Sequence, residues 1–225
     1  MPVCRINGKT VLFIHIPKCG GSSVEELMRS HAAGPVGYID TGKGAFFNGL
    51  RKCSPQHMHA VQLREIFRLD AFDLIFTVCR DPVARIKSEF HMRMNSPLAS
   101  GGFDQWYAKV RELRVRNPYV LDNHLRPQAE FLVQGALVYR LEDGLDSIWA
   151  DVARRLGVVE RSDTVPSIKP LPRSVPRRHT VEEPSARTVR LITSDYAVDY
   201  SLLRGESGIE FVRPTRLPAG HQGAL

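Results

Sequence analysis

Apolar positions along the chain fall into two kinds of run. Thr10–Ile16 (TVLFIHI) and Phe72–Cys79 (FDLIFTVC) are nearly continuous apolar stretches rich in β-branched and aromatic residues, the pattern of strands buried on both faces. Each is followed by a break and then by helical spacing. After the first, PKCGGSS interrupts and Val24–His31 reads as a helix with Glu25 and Glu26 in its first turn. After the second, Asp81 supplies an N-cap and Pro82 a first-turn proline for a helix to about Met94. Between these units, Val61, Leu63, Ile66, Phe67 and Leu69 form a helical stripe over Ala60–Leu69. Beyond them come an amphipathic helix over Phe103–Val115, a short strand Leu137–Leu141 with its helix Asp146–Leu156, and a last helix from about Ser185 to Leu203. Strands alternating with helices predict an α/β fold, a three-layer sandwich around a central parallel sheet, with ligands gathered at the C-terminal ends of the strands.

Composition narrows this picture. With 225 residues, 43% of them apolar, the chain supports one substantial core and reads as a single domain over 1–225. No run approaches the ~18–20 apolar residues of a membrane span, and the opening MPVCRINGKT lacks a leader's basic patch and apolar stretch, so the expected address is cytoplasmic. Cys4, Cys19, Cys53 and Cys79 form no C-x-x-C pair and are expected to be free thiols. The net charge of +7 calls for an anionic partner: nucleic acid, a membrane surface, a nucleotide or an acidic sugar. Basic residues gather between Arg161 and Arg190 without a single Phe, Tyr or Trp, so the stacking platform of a single-strand nucleic-acid binder is missing.

The chemistry concentrates in two segments. In the first, IPKCGGSS, a loop leaves a buried strand and enters a helix, which turns backbone N–H groups and the positive helix end toward one point. Lys18 adds a charge there, Cys19, Gly20 and Gly21 form the turn, and Ser22 and Ser23 offer hydroxyls, an arrangement suited to a phosphate. The bland alternative is a tight turn capped by serine. The order of lysine and glycines is not that of a nucleoside-triphosphate loop, G-x-x-x-x-G-K-[ST]. In the second segment, VCRDPVARIKSEF, Arg80 ends a strand and Ser88 lies eight residues on in the following helix, so one anion can meet both. Asp81 and Pro82 read as helix capping, and Arg85 as a structural ion-pair residue in preference to a ligand contact. Cys79 and Arg85 satisfy the C-x5-R spacing of cysteine-dependent phosphatases, but Cys79 belongs to an apolar strand.

FIHIPKCGGSS resembles the 5'-phosphosulfate loop of the sulfotransferases that use 3'-phosphoadenosine 5'-phosphosulfate (PAPS), particularly those acting on carbohydrates, with Cys19 where threonine is usual. R-D-P-x-x-R-x-x-S-x-F, at Arg80, Asp81, Pro82, Arg85, Ser88 and Phe90, is similar to their 3'-phosphate element. The resemblance implies a fold like that of P-loop-containing nucleotide hydrolases, PAPS as sulfuryl donor and no required metal. It also implies an acceptor hydroxyl, on an anionic sugar or glycolipid, with possible peripheral membrane contact and no nucleic-acid partner. His57 and His59 in QHMHAVQL would project to one side of an extended segment. They match the H-x-H of uronyl 2-O-sulfotransferases, which implies a base; we assign His59 to that role and His57 to acceptor binding or support, the plain alternative being loop histidines.

Cys53 with these two histidines suggests zinc only weakly, since a fourth ligand at sensible spacing is missing. His15 reads as a satisfied strand residue. DNHLRPQAEFL also resembles a recurrent carbohydrate-sulfotransferase segment, so His124, Arg126 and Gln128 either line the acceptor channel or fix a neighbouring helix. The Pro- and Arg-rich stretch near 159–184, with Arg173 as a nucleotide contact, is by resemblance a cover over the donor and otherwise a solvated linker. The competing functions are a non-catalytic nucleotide-binding protein on the same fold and a basic nucleic-acid binder.

Overall fold

The computed structural model describes residues 1–38, 51–158, 182–206, 209 and 211–214. They form an α/β fold with an open sheet of four strands in the order β1 (Val3–Ile6), β2 (Lys9–Ile14), β3 (Leu74–Cys79), β4 (Leu137–Arg140). The β2–β3 and β3–β4 pairs are parallel and β1 runs antiparallel to β2. Strand β1 went unforeseen. It is joined to β2 by Asn7 and Gly8, both at positive φ (48° and 78°), the two-residue turn in which Asn-Gly avoids strain.

The helices are α1 (Gly21–His31), α2 (Ala60–Ile66), α3 (Pro82–Arg93), α4 (Gly102–Arg116), α5 (Leu145–Leu156), α6 (Ala186–Asp195) and α7 (Ala197–Leu203). The expected single last helix is two, broken at Tyr196, whose hydroxyl reaches the Leu125 carbonyl at 2.7 Å from a fully packed position. Alternation along the strands divides the core. Val11, Phe13, Phe76, Val78 and Tyr139 pack against Val24 and Leu27 of α1 and Ile148, Trp149, Val152 and Leu156 of α5. Leu12, Ile14, Ile75 and Val138 face Leu63 of α2, Phe131 and Leu202 of α7. Helices thus cover both faces of the sheet. A third apolar group, built on Phe90, Phe103, Trp106 and Tyr196, binds α3, α4 and α6 together.

Because β2, β3 and β4 are parallel, their C-terminal ends open on the same side, and the register sets Ile14 beside Thr77 and Cys79 beside Arg140. The loop after β2 and the start of α3 after β3 are therefore neighbours, one strand spacing (~4.8 Å) apart.

Candidate functional site

The loop Ile16–Gly20 turns sharply. Lys18 and Gly20 hold positive φ, 67° and 79°, and for lysine this is a conformation kept only where surrounding contacts impose it. Gly20 has a second constraint, since a Cβ there would lie 2.9 Å from Leu141 Cδ1. Gly21 is needed for space alone: a Cβ would stand 1.9 Å from His15 Nε2. His15 is the buried floor of the loop. Its Nδ1 lies 2.6 Å from Glu25 Oε1, and Gln56 Nε2 also reaches that carboxylate at 2.7 Å. Burial lowers the His15 pKa to about 4, so the ring is neutral and Nδ1–H donates. It is a satisfied strand-end residue, as the sequence suggested.

The end of α1 above this floor carries no side-chain cap. The Gly20 carbonyl accepts from Ser23 N and Val24 N. The N–H groups of Gly20, Gly21 and Ser22 and the hydroxyls of Ser22, Ser23 and Ser88 have no hydrogen-bond partner among the described residues. Lys18 Nζ rests 3.3 Å from the thioether of Met92, a poor acceptor. Burial lowers the Lys18 pKa, Glu89 works against that, and Arg80 and Arg93 add to it. Arg80 Nη1 donates to the Lys18 carbonyl at 3.3 Å, so the two predicted anion-binding segments touch. The charges of Glu89, Arg80 and Arg93 all act on Lys18, and Arg93 is paired with Glu89 at 2.8 Å.

Other motif residues build this arrangement. Arg85 is fully buried and donates to the carbonyls of Pro17, His124 and Arg126 at 3.2, 2.7 and 2.7 Å, tying the loop to the chain ahead of Gln128. Asp81 Oδ1 accepts from Ala84 N at 2.8 Å, the predicted cap. Gln128 is fully buried, bonding both the N–H and the carbonyl of Arg80 at 2.9 and 2.8 Å, and its Oε1 accepts from the Cys19 thiol at 3.3 Å. Arg126 is spent on Asn123, Glu130 and the face of Tyr119. Of the three residues expected either to line a channel or to brace the fold, Arg126 and Gln128 brace it. Burial raises the Cys19 thiol to about 12 and the Cys79 thiol well above its ordinary value, the opposite of the lowered value a nucleophilic cysteine needs.

The two histidines have different partners. A 3-10 turn, Pro55–His57, leads through the extended Met58 and His59 into α2. His59 caps α2, with Nδ1 2.7 Å from Gln62 Oε1, and packs against Tyr119. Cys53 donates to the same Gln62 oxygen, so Cys53 and His59 are turned to a helix cap. His57 instead joins a row of rings: its centroid lies 5.0 Å from that of His15 and 4.8 Å from that of His124. Each ring in the row meets a carboxylate at Nδ1, His57 with Asp122 at 2.7 Å and His124 with Glu89 at 2.5 Å. From the sequence the base role falls to His59, whereas the carboxylate partner at Nδ1 belongs to His57.

Asp122 is presented from three consecutive left-handed residues, Leu121, Asp122 and Asn123 (φ 53°, 59°, 64°), anchored where Asn123 Nδ2 donates to the His57 carbonyl at 2.8 Å, whereas Glu89 comes from α3. Burial resists ionisation of Asp122 and Glu89. Hydrogen bonds from His57 and Ser54, and from His124 and Arg93, outweigh it and hold both carboxyls below the ordinary range. Burial lowers the pKa of His124, partly offset by Glu89. His57, Asp122 and His124 also place one potential metal ligand each within 4.8 Å of one another, but Asp122 Oδ2 already accepts from His57.

Glu89, Asp122 and Arg93 are site residues that sequence reasoning passed over. Glu89 directly follows Ser88, and Asp122 opens the DNHLRPQ segment. Arg173 and the basic stretch over 159–181 lie outside the described residues; just beyond them Glu183 pairs with Lys87 at 2.6 Å, beside Ser88. Open cavities of about 890 and 1470 Å³ lie elsewhere, at the opposite strand ends by Lys9 and Leu74 and against β4 by Arg140 and Phe211. No helix among the described residues is long and apolar enough to cross a membrane. Compared with known proteins, the chain matches no family model, no curated protein and no solved structure.

Proposed function

We propose that the chain is a PAPS-dependent sulfotransferase that places a sulfuryl group on a hydroxyl of a carbohydrate or glycoconjugate. The contact between Arg80 and the Lys18 loop supports the reading, because the two segments read as anion-binding lie side by side at neighbouring strand ends, an arrangement compatible with one doubly phosphorylated adenosine. Lys18 and the open N–H groups of Gly20, Gly21 and Ser22 hold the 5'-phosphosulfate. Arg80 and Ser88 hold the 3'-phosphate. Sulfuryl transfer, like phosphoryl transfer, needs positioning and charge stabilisation more than covalent help, and Lys18 offsets the charge that grows on the departing phosphate oxygen. His57, its Nδ1 fixed by Asp122, takes the proton of the attacking hydroxyl. Cys19 contributes its backbone, since its thiol is turned to Gln128.

The test is transfer of labelled sulfate from PAPS to a panel of uronic-acid-containing oligosaccharides. Wild type is expected to label at least one of them, and Lys18→Ala to do so roughly 10²- to 10³-fold more slowly. Near-normal turnover in Lys18→Ala removes that residue from the mechanism. Tight adenosine bisphosphate binding without transfer to any sugar favours the non-catalytic reading.

A further inference from the structure

Glu89 stands where the donor side and the acceptor side of this site meet. Its side chain is fully buried on α3, one residue beyond Ser88. Oε1 accepts from Arg93 Nε at 2.8 Å, and Oε2 lies 2.5 Å from His124 Nδ1. A carboxylate in this setting is stable only because both oxygens are bonded to donors. The same charge acts on Lys18, as do the charges of Arg80 and Arg93. His124 faces Glu89, His57 and Arg93, while Arg85 binds its carbonyl. With Nδ1 donating to an ionised carboxylate, a neutral His124 has a bare Nε2. That atom has no protein partner among the described residues, and it is not among the buried polar atoms left unpaired, so solvent reaches it.

We propose that Glu89 is a positioning residue: it holds His124 with its proton on Nδ1, so that the bare Nε2 accepts a hydrogen bond from the incoming sugar, and it tempers the positive charge that the donor meets at Lys18 and Arg93. The inference rests on the sulfuryl-transfer reading. Its two halves carry opposite signs, which a purely structural glutamate would not produce. Without the negative charge, Lys18 and Arg93 attract the donor phosphates more strongly. Without the fixed tautomer, the acceptor loses a contact.

Glu89→Gln and Glu89→Asp in the full chain test this by three measurements: the dissociation constant of adenosine 3',5'-bisphosphate, kcat/KM for the acceptor, and ring-nitrogen NMR of His124. Glu89→Gln is expected to tighten bisphosphate binding about threefold or more and to lower acceptor kcat/KM about tenfold or more. The His124 signals should leave the single Nδ1–H form, and Glu89→Asp should restore part of the transfer. The proposal is overturned if Glu89→Gln weakens donor binding and transfer in parallel with a fall in thermal midpoint, or leaves transfer unchanged. The NMR measurement reads the tautomer whether or not any sulfuryl moves, so a wild type that neither binds bisphosphate nor transfers sulfate refutes the site reading, while an altered or unaltered His124 spectrum still judges the Glu89 contact.

Discussion

At the scale of single residues, His57 and His59 are two positions apart in the chain yet have separate work. His57 lies in the row with His15 and His124, bonded to Asp122, whereas His59 is committed to Gln62 as the cap of α2. His57→Asn should therefore lower sulfuryl transfer by about 10²- to 10⁴-fold, the usual share of a general base. His59→Ala should cost about 1 kcal/mol of stability as a lost cap and leave turnover per folded molecule close to wild type. Parallel kinetics of transfer and chemical denaturation of both variants check this, and the reverse ranking contradicts it. The sequence could not separate the two rings, because what distinguishes them is the partner each meets, Asp122 for His57 and Gln62 for His59. Lys18, Arg80 and the loop glycines were legible because strand ends and helix starts are local features. Glu89 and Asp122 were not, since each matters through a partner 35 or 65 residues away.

Among elements, the join between β2 and α1 is the most constrained. The His15 ring, bonded to Glu25 and packed on Phe13 and His57, lies where a Cβ on Gly21 would be, at 1.9 Å from Nε2. A ring held on several sides cannot yield cheaply. Gly21→Ala should cost roughly 1–3 kcal/mol by overpacking and weaken bisphosphate binding, because the displaced loop carries the N–H groups that face the phosphate. Stability within about 0.5 kcal/mol of wild type, the range of an innocuous surface change, would show that the ring moves freely. The glycine pair reads in the sequence as part of the turn; its second member also allows close approach of backbone to an imidazole. The β1 hairpin and the break at Tyr196 show the two ways in which elements escaped the periodicity: Asn7-Gly8 is a short turn signal outweighed by nothing but its length, and Tyr196 turns the chain through a tertiary bond to Leu125.

For the molecule as a whole, the alternation of buried strands with helices was enough to give the α/β order and the parallel arrangement of the strands that hold the site, since both follow from apolar runs separated by helical stripes. The polar interior has its own consequence for pH. Burial lowers His15 from about 6.5 to about 4, and lowers His59, His91 and His124 in the same direction. Between those values the unfolded chain takes up protons that the folded one refuses, so stability falls as pH drops below about 6.5. Glu89 and Asp122, held below their ordinary values, add a further loss as pH falls through the ordinary carboxylate range, where the unfolded chain takes up protons that the folded one refuses. Denaturant midpoints are expected to decline from pH 7 to pH 5 and more steeply below; a flat profile contradicts the lowered values of His15 and His124.

The account turns on one nucleotide gripped at both ends, and thermal stabilisation by adenosine 3',5'-bisphosphate against AMP, ADP and ATP measures that directly. At a concentration a hundredfold above the dissociation constant, the bisphosphate should add about 2.7 kcal/mol, a rise of several degrees at about 2–4 °C per kcal/mol for a chain of this size. AMP, ADP and ATP should do much less, and Arg80→Ala should erase the preference for the 3'-phosphate. Equal stabilisation by ATP, or none by the bisphosphate, would contradict the paired phosphate site.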